Sequence, residues 1–183
     1  MGLAVAKALT AQEQAWHVHL LDVDQDRGRQ AVDDLHPKAT FHQANVSVYH
    51  ELAAAFHAVF EQHRRLDFVF ANAGVIERTN FYTHALDLDL DQDQHEHEDD
   101  MPDLRTLEVD LHGVVYTSSL AGRYFRRSPH QGHDSALVMT ASCGGLYPSF
   151  YSPLYTAAKR ESTCHSILYS TPVLRVLRVH RGS

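Results

Sequence analysis

The chain is poor in cysteine and in basic residues, and it contains no long hydrophobic run. Two cysteines, Cys143 and Cys164, are too few for a disulfide framework, which favours a reducing compartment such as the cytoplasm. Lysines and arginines number 16 against 23 aspartates and glutamates, and no basic stripe indicates binding to nucleic acid. No apolar stretch approaches the roughly 20 residues that cross a bilayer, and no signal peptide is visible. We therefore expect a cytoplasmic protein with neither a membrane nor a nucleic-acid partner.

What the chain does contain is an alternation of helical and strand-like segments. Its 183 residues fit one domain with a substantial core. Apolar spacing predicts helices over residues 3–14, 25–35, 49–65 and 103–127, and a last helix that carries Tyr155. Apolar runs predict strands over residues 18–21, 40–42, 67–71 and 136–140, with a further candidate over 173–179. This pattern is typical of an α/β fold with a doubly wound parallel sheet, which we predict for residues 1–183.

Polar residues follow three of the predicted strands. Asp22, Asn72 and Ser142 each lie just beyond the end of a strand. Because sheets of this kind bind ligands outside the carboxyl ends of their strands, these three residues are candidates for a binding site.

Tyr155 and Lys159 stand four residues apart, so they share one face of the last predicted helix. A positive neighbour favours the phenolate form of a tyrosine, and the Ser142 hydroxyl could hold a substrate oxygen beside the phenol. Such a set suits proton transfer to or from an alcohol or carbonyl oxygen. The same spacing also occurs as a solvated pair on many helices, so the accompanying motifs decide between the two interpretations.

In their order and spacing these motifs resemble the short-chain dehydrogenase/reductase family over about residues 2–160. The matching residues are Asp22 after the second family strand, Asn72-Ala73-Gly74 after the fourth, Ser142 after the fifth, and Tyr155-x-x-x-Lys159. The segment from residue 146 to 155 is most similar to the hydroxyprostaglandin-dehydrogenase-like members.

The resemblance implies a Rossmann-like fold and an NAD(P)-dependent oxidoreductase that transfers a hydride between the nicotinamide and a secondary alcohol or ketone. It implies that Tyr155 is the general acid or base, that Lys159 supports it and binds the nicotinamide ribose, and that Ser142 orients the substrate oxygen. Asn72 would support the cofactor and the central strand. By analogy with the family we also expect a homo-oligomer, and we expect a role in secondary metabolism.

Asp22 determines the expected cofactor. A carboxylate there can accept hydrogen bonds from the adenosine ribose hydroxyls and would repel a 2′-phosphate. The next residues, Val23 and Asp24, include no arginine to bind such a phosphate, so NAD is favoured over NADP. The alternative is that Asp22 only caps the next helix. Asn45 and Val46 stand where the family often has Asp-Val, which implies a contact with the adenine.

The chain departs from the family pattern in three places. Gly2 corresponds to the last glycine of the pyrophosphate-binding turn, and the first strand and the two earlier glycines are absent. We therefore expect unpaired inner edges on the second and fourth family strands and weak binding of NADH. Asp110 stands where the family usually has an asparagine that helps to bind a relay water. The family's Pro-Gly turn, last strand and substrate loop do not follow before Ser183. The alternative function is thus a truncated, catalytically weak or inactive relative, or a partner-binding remnant.

An acidic segment covers residues 86–103, with alternating aspartates followed by histidines and glutamates. Such side chains could bind a metal, but we interpret the segment as a solvated, mobile insertion. The 15 histidines of the chain otherwise show no convincing ligand spacing, so no metal site is predicted.

Overall fold

The structure, a computed structural model, describes residues 1–13, 16–78 and 102–169. The predicted strand over residues 173–179 and most of the acidic segment lie outside these ranges. In the part that is described, no helix is both long and apolar enough to cross a membrane.

Helices and strands alternate along the described residues. The elements are α1 (Gly2–Thr10), β1 (Val18–Asp22), α2 (Gln25–Leu35), β2 (Ala39–Gln43), α3 (Tyr49–His63), β3 (Phe68–Ala71), α4 (Arg105–Leu107), a π-helical turn (Glu108–His112), α5 (Gly113–Arg127), β4 (Ala136–Met139), a 3₁₀ turn (Cys143–Gly145) and α6 (Pro153–Tyr169).

Within the described ranges the predicted helices and strands are present. The strand ends lie within one residue of the prediction, and three of the predicted helices differ in extent. Helix α1 ends at Thr10, whose carbonyl oxygen accepts a hydrogen bond of 2.7 Å from the Lys38 ammonium. Helix α3 ends at His63 because Arg64 adopts a left-handed backbone with φ of 55°. The helix predicted over residues 103–127 is interrupted by the π-helical turn, which an apolar period alone does not reveal.

The described residues form two compact units. Unit 1 comprises residues 1–73 and 113–140, and unit 2 comprises residues 74–112 and the chain from residue 141 onward. All four described strands belong to unit 1.

The strands pair in parallel, as predicted, in two sheets of two strands each. β1 pairs with β2, which places Asp22 opposite Gln43, and β3 pairs with β4. Within the described ranges no strand joins β1 to β3. These are the strands whose inner edges were expected to lack the family's first strand between them.

The main core of unit 1 lies between helices α3 and α5 and the two sheets. Its buried members are Leu52, Phe56, Phe60, Leu120, Ala121, Tyr124 and Phe125. Leu21 of β1, Val69 of β3 and Leu137 of β4 pack against this cluster, so both sheets share one apolar layer. A second, smaller cluster joins α1 and α2 to the other face of β1 and β2 through Ala6, Leu35 and Ala39.

Candidate active site

The residues predicted to form the site fall into two groups, one in each unit. In unit 1, Asp22 is exposed at the carboxyl end of β1, and its Oδ1 accepts a hydrogen bond of 3.0 Å from the Asp24 amide. The N-cap of α2 is Asp24, whose carboxylate accepts from the Arg27 amide at 3.0 Å. Asp22 is therefore not the helix cap that the alternative interpretation proposed.

Asn45 and Val46 follow β2. The Asn45 side-chain oxygen accepts hydrogen bonds from the Ser47 amide at 3.0 Å and from the Ser47 hydroxyl at 2.8 Å, which stabilises the turn. Val46 packs against the α3–α5 core and lies so close to Gly113 that a Cβ there would be 2.8 Å from the valine Cγ2. Both side chains thus have a structural role, and their contact with an adenine stays a prediction.

Asn72 and Gly2 are brought together in unit 1. Thr140 Oγ1 donates to Asn72 Oδ1 at 3.2 Å, so the two side chains extend the pairing of β3 and β4 beyond the strands. A Cβ at Gly2 would lie 3.3 Å from Asn72 Nδ2, which leaves little room for any side chain at position 2. The support of the cofactor and of the central strand by Asn72 stays a prediction.

Ser142 and Tyr155 flank Gly144 in unit 2. Ser142 caps the 3₁₀ turn, and its Oγ accepts a hydrogen bond of 3.1 Å from the Gly144 amide. A hydroxyl can accept and donate at once, so the Ser142 O–H can still donate to another oxygen. A Cβ at Gly144 would lie 3.2 Å from Tyr155 Cε1 and 3.5 Å from Ser142 Oγ. The tyrosine ring and the serine hydroxyl therefore approach the same small region of space.

Lys159 lies one helical turn after Tyr155 on α6 and is buried. Its Nζ is 5.6 Å from the centroid of the Tyr155 ring. Unit 2 thus brings together the three residues that were predicted to be catalytic: Ser142, Tyr155 and Lys159.

Asp110, which lies in the π-helical turn, forms an ion pair with Lys159. Its Oδ2 lies 2.9 Å from Lys159 Nζ, and its Oδ1 accepts a hydrogen bond of 2.7 Å from the Val75 amide. The Asp110 carbonyl oxygen accepts from the Ser162 hydroxyl at 3.3 Å. A Cβ at Gly74 would lie 3.0 Å from Asp110 Oδ2 and 3.3 Å from Lys159 Nζ, so the glycine lets the backbone approach this ion pair closely. The Asp110 carboxylate therefore forms a direct ion pair with the lysine.

Glu77 also belongs to this region, although no motif in the sequence indicates it. Its Oε2 accepts a hydrogen bond of 2.9 Å from the Tyr155 amide in the first turn of α6. A carboxylate at this end of a helix interacts favourably with the helix dipole. The other oxygen, Oε1, is buried without a hydrogen-bond partner among the described residues. No local sequence signal connects a glutamate to a tyrosine 78 residues further along the chain.

Comparison with known proteins identifies the family. A family model described as "short chain dehydrogenase" matches residues 1–163. The chain belongs to the short-chain dehydrogenase/reductase family. It is 57% identical over 159 residues to short-chain dehydrogenase/reductase prx7 of Penicillium rubens, an alignment that covers 87% of this chain and 55% of that protein. Short-chain dehydrogenase/reductase prx6 of the same organism is 28% identical over 176 residues, covering 96% of this chain and 56% of the relative. The chain thus spans about half the length of these curated relatives.

The fold agrees with this membership. A short-chain dehydrogenase/reductase from Burkholderia phymatum, solved in complex with NAD, superimposes with a TM-score of 0.71 at 21% identity. The match covers 92% of this chain and 55% of that protein. The prediction of a Rossmann-like α/β fold of the short-chain dehydrogenase/reductase family is therefore confirmed, whereas the hydroxyprostaglandin-dehydrogenase-like subgroup stays a prediction.

Proposed function

We propose that the chain carries the catalytic groups of an NAD-dependent oxidoreductase that interconverts a secondary alcohol and a ketone. The observation that carries this proposal is the arrangement in unit 2. The Ser142 hydroxyl and the Tyr155 ring both flank Gly144, and the Lys159 ammonium lies 5.6 Å from the centre of that ring.

Each side chain has a chemical task in this reaction. When the cofactor is bound, its nicotinamide supplies or accepts the hydride. The Ser142 O–H donates a hydrogen bond to the substrate oxygen, because its own oxygen is held by the Gly144 amide. Tyr155 exchanges a proton with the same oxygen, taking it during alcohol oxidation and returning it during ketone reduction. Lys159 places a positive charge 5.6 Å from the centre of the Tyr155 ring.

Asp22 supports NAD rather than NADP as the cofactor. Its carboxylate is exposed at the end of β1, where it could accept hydrogen bonds from ribose hydroxyls and would repel a phosphate. We assign Gly2 and Asn72 to the same cofactor, together with Asn45 and Val46 near the adenine. The Burkholderia protein was solved in complex with NAD, and this likeness supports a nicotinamide cofactor for the present chain. The cytoplasmic location, the homo-oligomer and the role in secondary metabolism stay predictions.

A second candidate function is that of a catalytically weak relative, and one observation favours it. The Asp110 carboxylate lies 2.9 Å from the Lys159 ammonium and offsets much of its positive charge. A lysine compensated in this way attracts a negatively charged oxygen less strongly than an uncompensated one would. The two candidates differ in the turnover that they predict and agree on the residues involved.

The test is hydride transfer by the purified protein. NAD with a panel of secondary alcohols, and NADH with the matching ketones, are followed by the absorbance of the reduced nicotinamide. Tyr155→Phe should lower kcat by about 10²–10⁴-fold while leaving the Kd for NADH nearly unchanged. Tyr49→Phe, which removes the hydroxyl of a tyrosine exposed on α3, is the matched control. Equal turnover in wild type and Tyr155→Phe would exclude Tyr155 as the acid or base. Turnover that is absent in wild type and appears in Asp110→Asn would favour the second candidate.

A further inference from the structure

Four histidines of unit 1 gather on one face of the β1–β2 sheet. His17 lies just before β1, and His19 is the second residue of the strand. Because side chains two residues apart in extended backbone point to the same side, these two histidines share one face. His42 lies on the neighbouring strand β2, and His63 is the last residue of α3. These residues are half-buried, except that His17 is exposed.

The imidazole rings are in direct contact. His19 Nε2 lies 2.9 Å from His63 Nε2, and His19 Nδ1 lies 2.9 Å from His42 Nε2. His17 Nε2 is 2.8 Å from the Thr40 hydroxyl, which orients the ring. One ring nitrogen from each of His17, His19 and His63 can be chosen so that the three atoms lie within 4.8 Å of one another.

The chemistry of the rings suits a metal ion. Burial, reinforced by the neighbouring His42, His17 and His63, lowers the pKa of His19 to about 4, so this ring is neutral at pH 7. Burial, together with His63, also lowers the pKa of His17. Neutral imidazole is the form that binds metals. The ion pairs formed by the described residues include none of these four histidines, so no carboxylate there holds them as imidazolium ions.

We propose that His17, His19 and His63 bind a divalent transition-metal ion, with zinc as the expected occupant. His42 does not bind the ion in this proposal but forms a hydrogen bond with the His19 ring. Imidazole ligands suit zinc, copper and nickel, and they disfavour magnesium and calcium. Zinc–nitrogen bonds of about 2.0–2.1 Å at tetrahedral angles place neighbouring ligand atoms about 3.3 Å apart. The 2.9 Å contact between His19 and His63 needs only a small widening. The His17 ring already lies beside both, with its centroid 5.0 Å from that of His19 and 5.2 Å from that of His63.

His42 positions the ligand instead of binding the ion. When the Nε2 atom of His19 binds the metal, its remaining proton must lie on Nδ1. That nitrogen is 2.9 Å from His42 Nε2, which can accept the hydrogen bond. Outer partners of this kind fix the tautomer and the orientation of a metal-binding histidine. Since the three protein ligands leave a fourth position, a water molecule would complete a tetrahedral site.

A bound ion would join the start of β1 to the end of α3. These elements are 44 residues apart in the sequence, measured between His19 and His63. Because the unfolded chain does not hold these ligands together, metal binding would stabilise unit 1 increasingly as the metal concentration rises above the Kd. No metal site was predicted from the sequence, and the proposed site is independent of the proposed oxidoreductase function.

The test is zinc binding by the purified chain after treatment with a chelator. Zinc affinity is measured by competition with a chromophoric zinc chelator, and Co²⁺ is added separately to record the absorption of a four-coordinate site. His63→Gln and His17→Gln remove ligands at positions that are not in the core. We expect each to weaken zinc binding by at least about 100-fold, and His42→Gln to weaken it by about 10–100-fold. His50→Gln, an exposed residue near the start of α3, is the matched control and should leave the affinity unchanged.

The outcomes separate this site from other ligands in the chain. Loss of binding in the His63 and His17 variants, with the control unchanged and the circular dichroism spectrum native, supports the proposal. Zinc binding that survives in both variants, as it would if the acidic segment over residues 86–103 held the ion, overturns it. Absence of zinc binding to the wild-type chain at micromolar concentrations, or a Co²⁺ spectrum typical of six-coordinate cobalt, overturns it as well.

Discussion

Replacing Asp110 by asparagine removes one charge from a buried ion pair in unit 2. Asp110 Oδ2 lies 2.9 Å from Lys159 Nζ, and neither side chain is exposed by more than 4%. The asparagine oxygen can still accept the hydrogen bond from the Val75 amide, so the loss of charge is the main change. Because the buried ammonium then lacks the carboxylate that compensates it, we expect the free energy of unfolding to fall by about 3–5 kcal/mol.

A double-mutant cycle isolates the ion pair from other effects of the substitution. Lys159→Met should also destabilise the chain, whereas Asp110→Asn combined with Lys159→Met should destabilise it less than the two single changes added together. We expect a coupling energy of about 2–3 kcal/mol between the two positions. Urea unfolding is followed by far-ultraviolet circular dichroism and by the fluorescence of Trp16, the single tryptophan, and coincidence of the two transitions tests two-state behaviour.

An exposed ion pair of the same kind provides the control. Lys7 Nζ lies 3.2 Å from Asp34 Oδ2, and both side chains are about half exposed. Asp34→Asn should therefore change the stability by only about 0–1 kcal/mol. A coupling energy below about 0.5 kcal/mol, or equal effects of Asp110→Asn and Asp34→Asn, would refute the argument that burial makes the Asp110–Lys159 pair important.

Three further predictions concern the cofactor, pH and packing. Asp22→Ala should lower the preference for NAD over NADP by about 10-fold or more, which corresponds to about 1.4 kcal/mol. The preference is measured as the ratio of the kcat/KM values for the two cofactors, and an unchanged ratio would exclude the assigned role of Asp22. The pKa of His19 is about 4 in the folded chain, against the ordinary value of 6.5. In metal-free buffer and between these two pH values, His19 therefore binds more protons in the unfolded chain than in the folded chain. Stability should fall as pH falls through this window, by about 1–2 kcal/mol once solvent screening of the partly exposed ring is included, and His19→Gln should flatten the pH dependence seen in urea unfolding. Gly28→Ala should destabilise the chain by about 1–3 kcal/mol because the added Cβ would overlap the ring of the Phe41 side chain. Gly122→Ala, where the nearest atom would be 3.6 Å away, should instead stabilise it by about 0.5–1 kcal/mol, and the same sign for both substitutions would contradict the packing argument.

Much of the local structure could be predicted because it depends on residues close together in the chain. Apolar periodicity located the helices and strands, and the order of the elements predicted parallel pairing. The helix ends were less predictable. Helix α3 ends because Arg64 adopts a left-handed backbone, and the carbonyl at the end of α1 accepts a hydrogen bond from the Lys38 ammonium. Neither feature can be read from the apolar periodicity of the sequence.

Part of the candidate site was also visible in the sequence. The four-residue spacing of Tyr155 and Lys159 follows from helix geometry, and Ser142 could be placed because it lies just after a strand. The Asp24 cap of α2 was not predicted, although it decides that Asp22 is not the helix cap. Asp110 was identified as a charged replacement of the family's asparagine, but nothing near it in the sequence indicated that its partner would be Lys159.

The elements, the family and the groups that could transfer a proton could all be predicted from the sequence, since these depend on composition, short-range spacing and motif order. Which distant side chains meet is visible only in the folded chain. Folding places Asp110 against Lys159, Glu77 against the first turn of α6, and His63 against His19. Contacts of this kind depend on how the chain packs over separations of many tens of residues, and no local period or propensity encodes them.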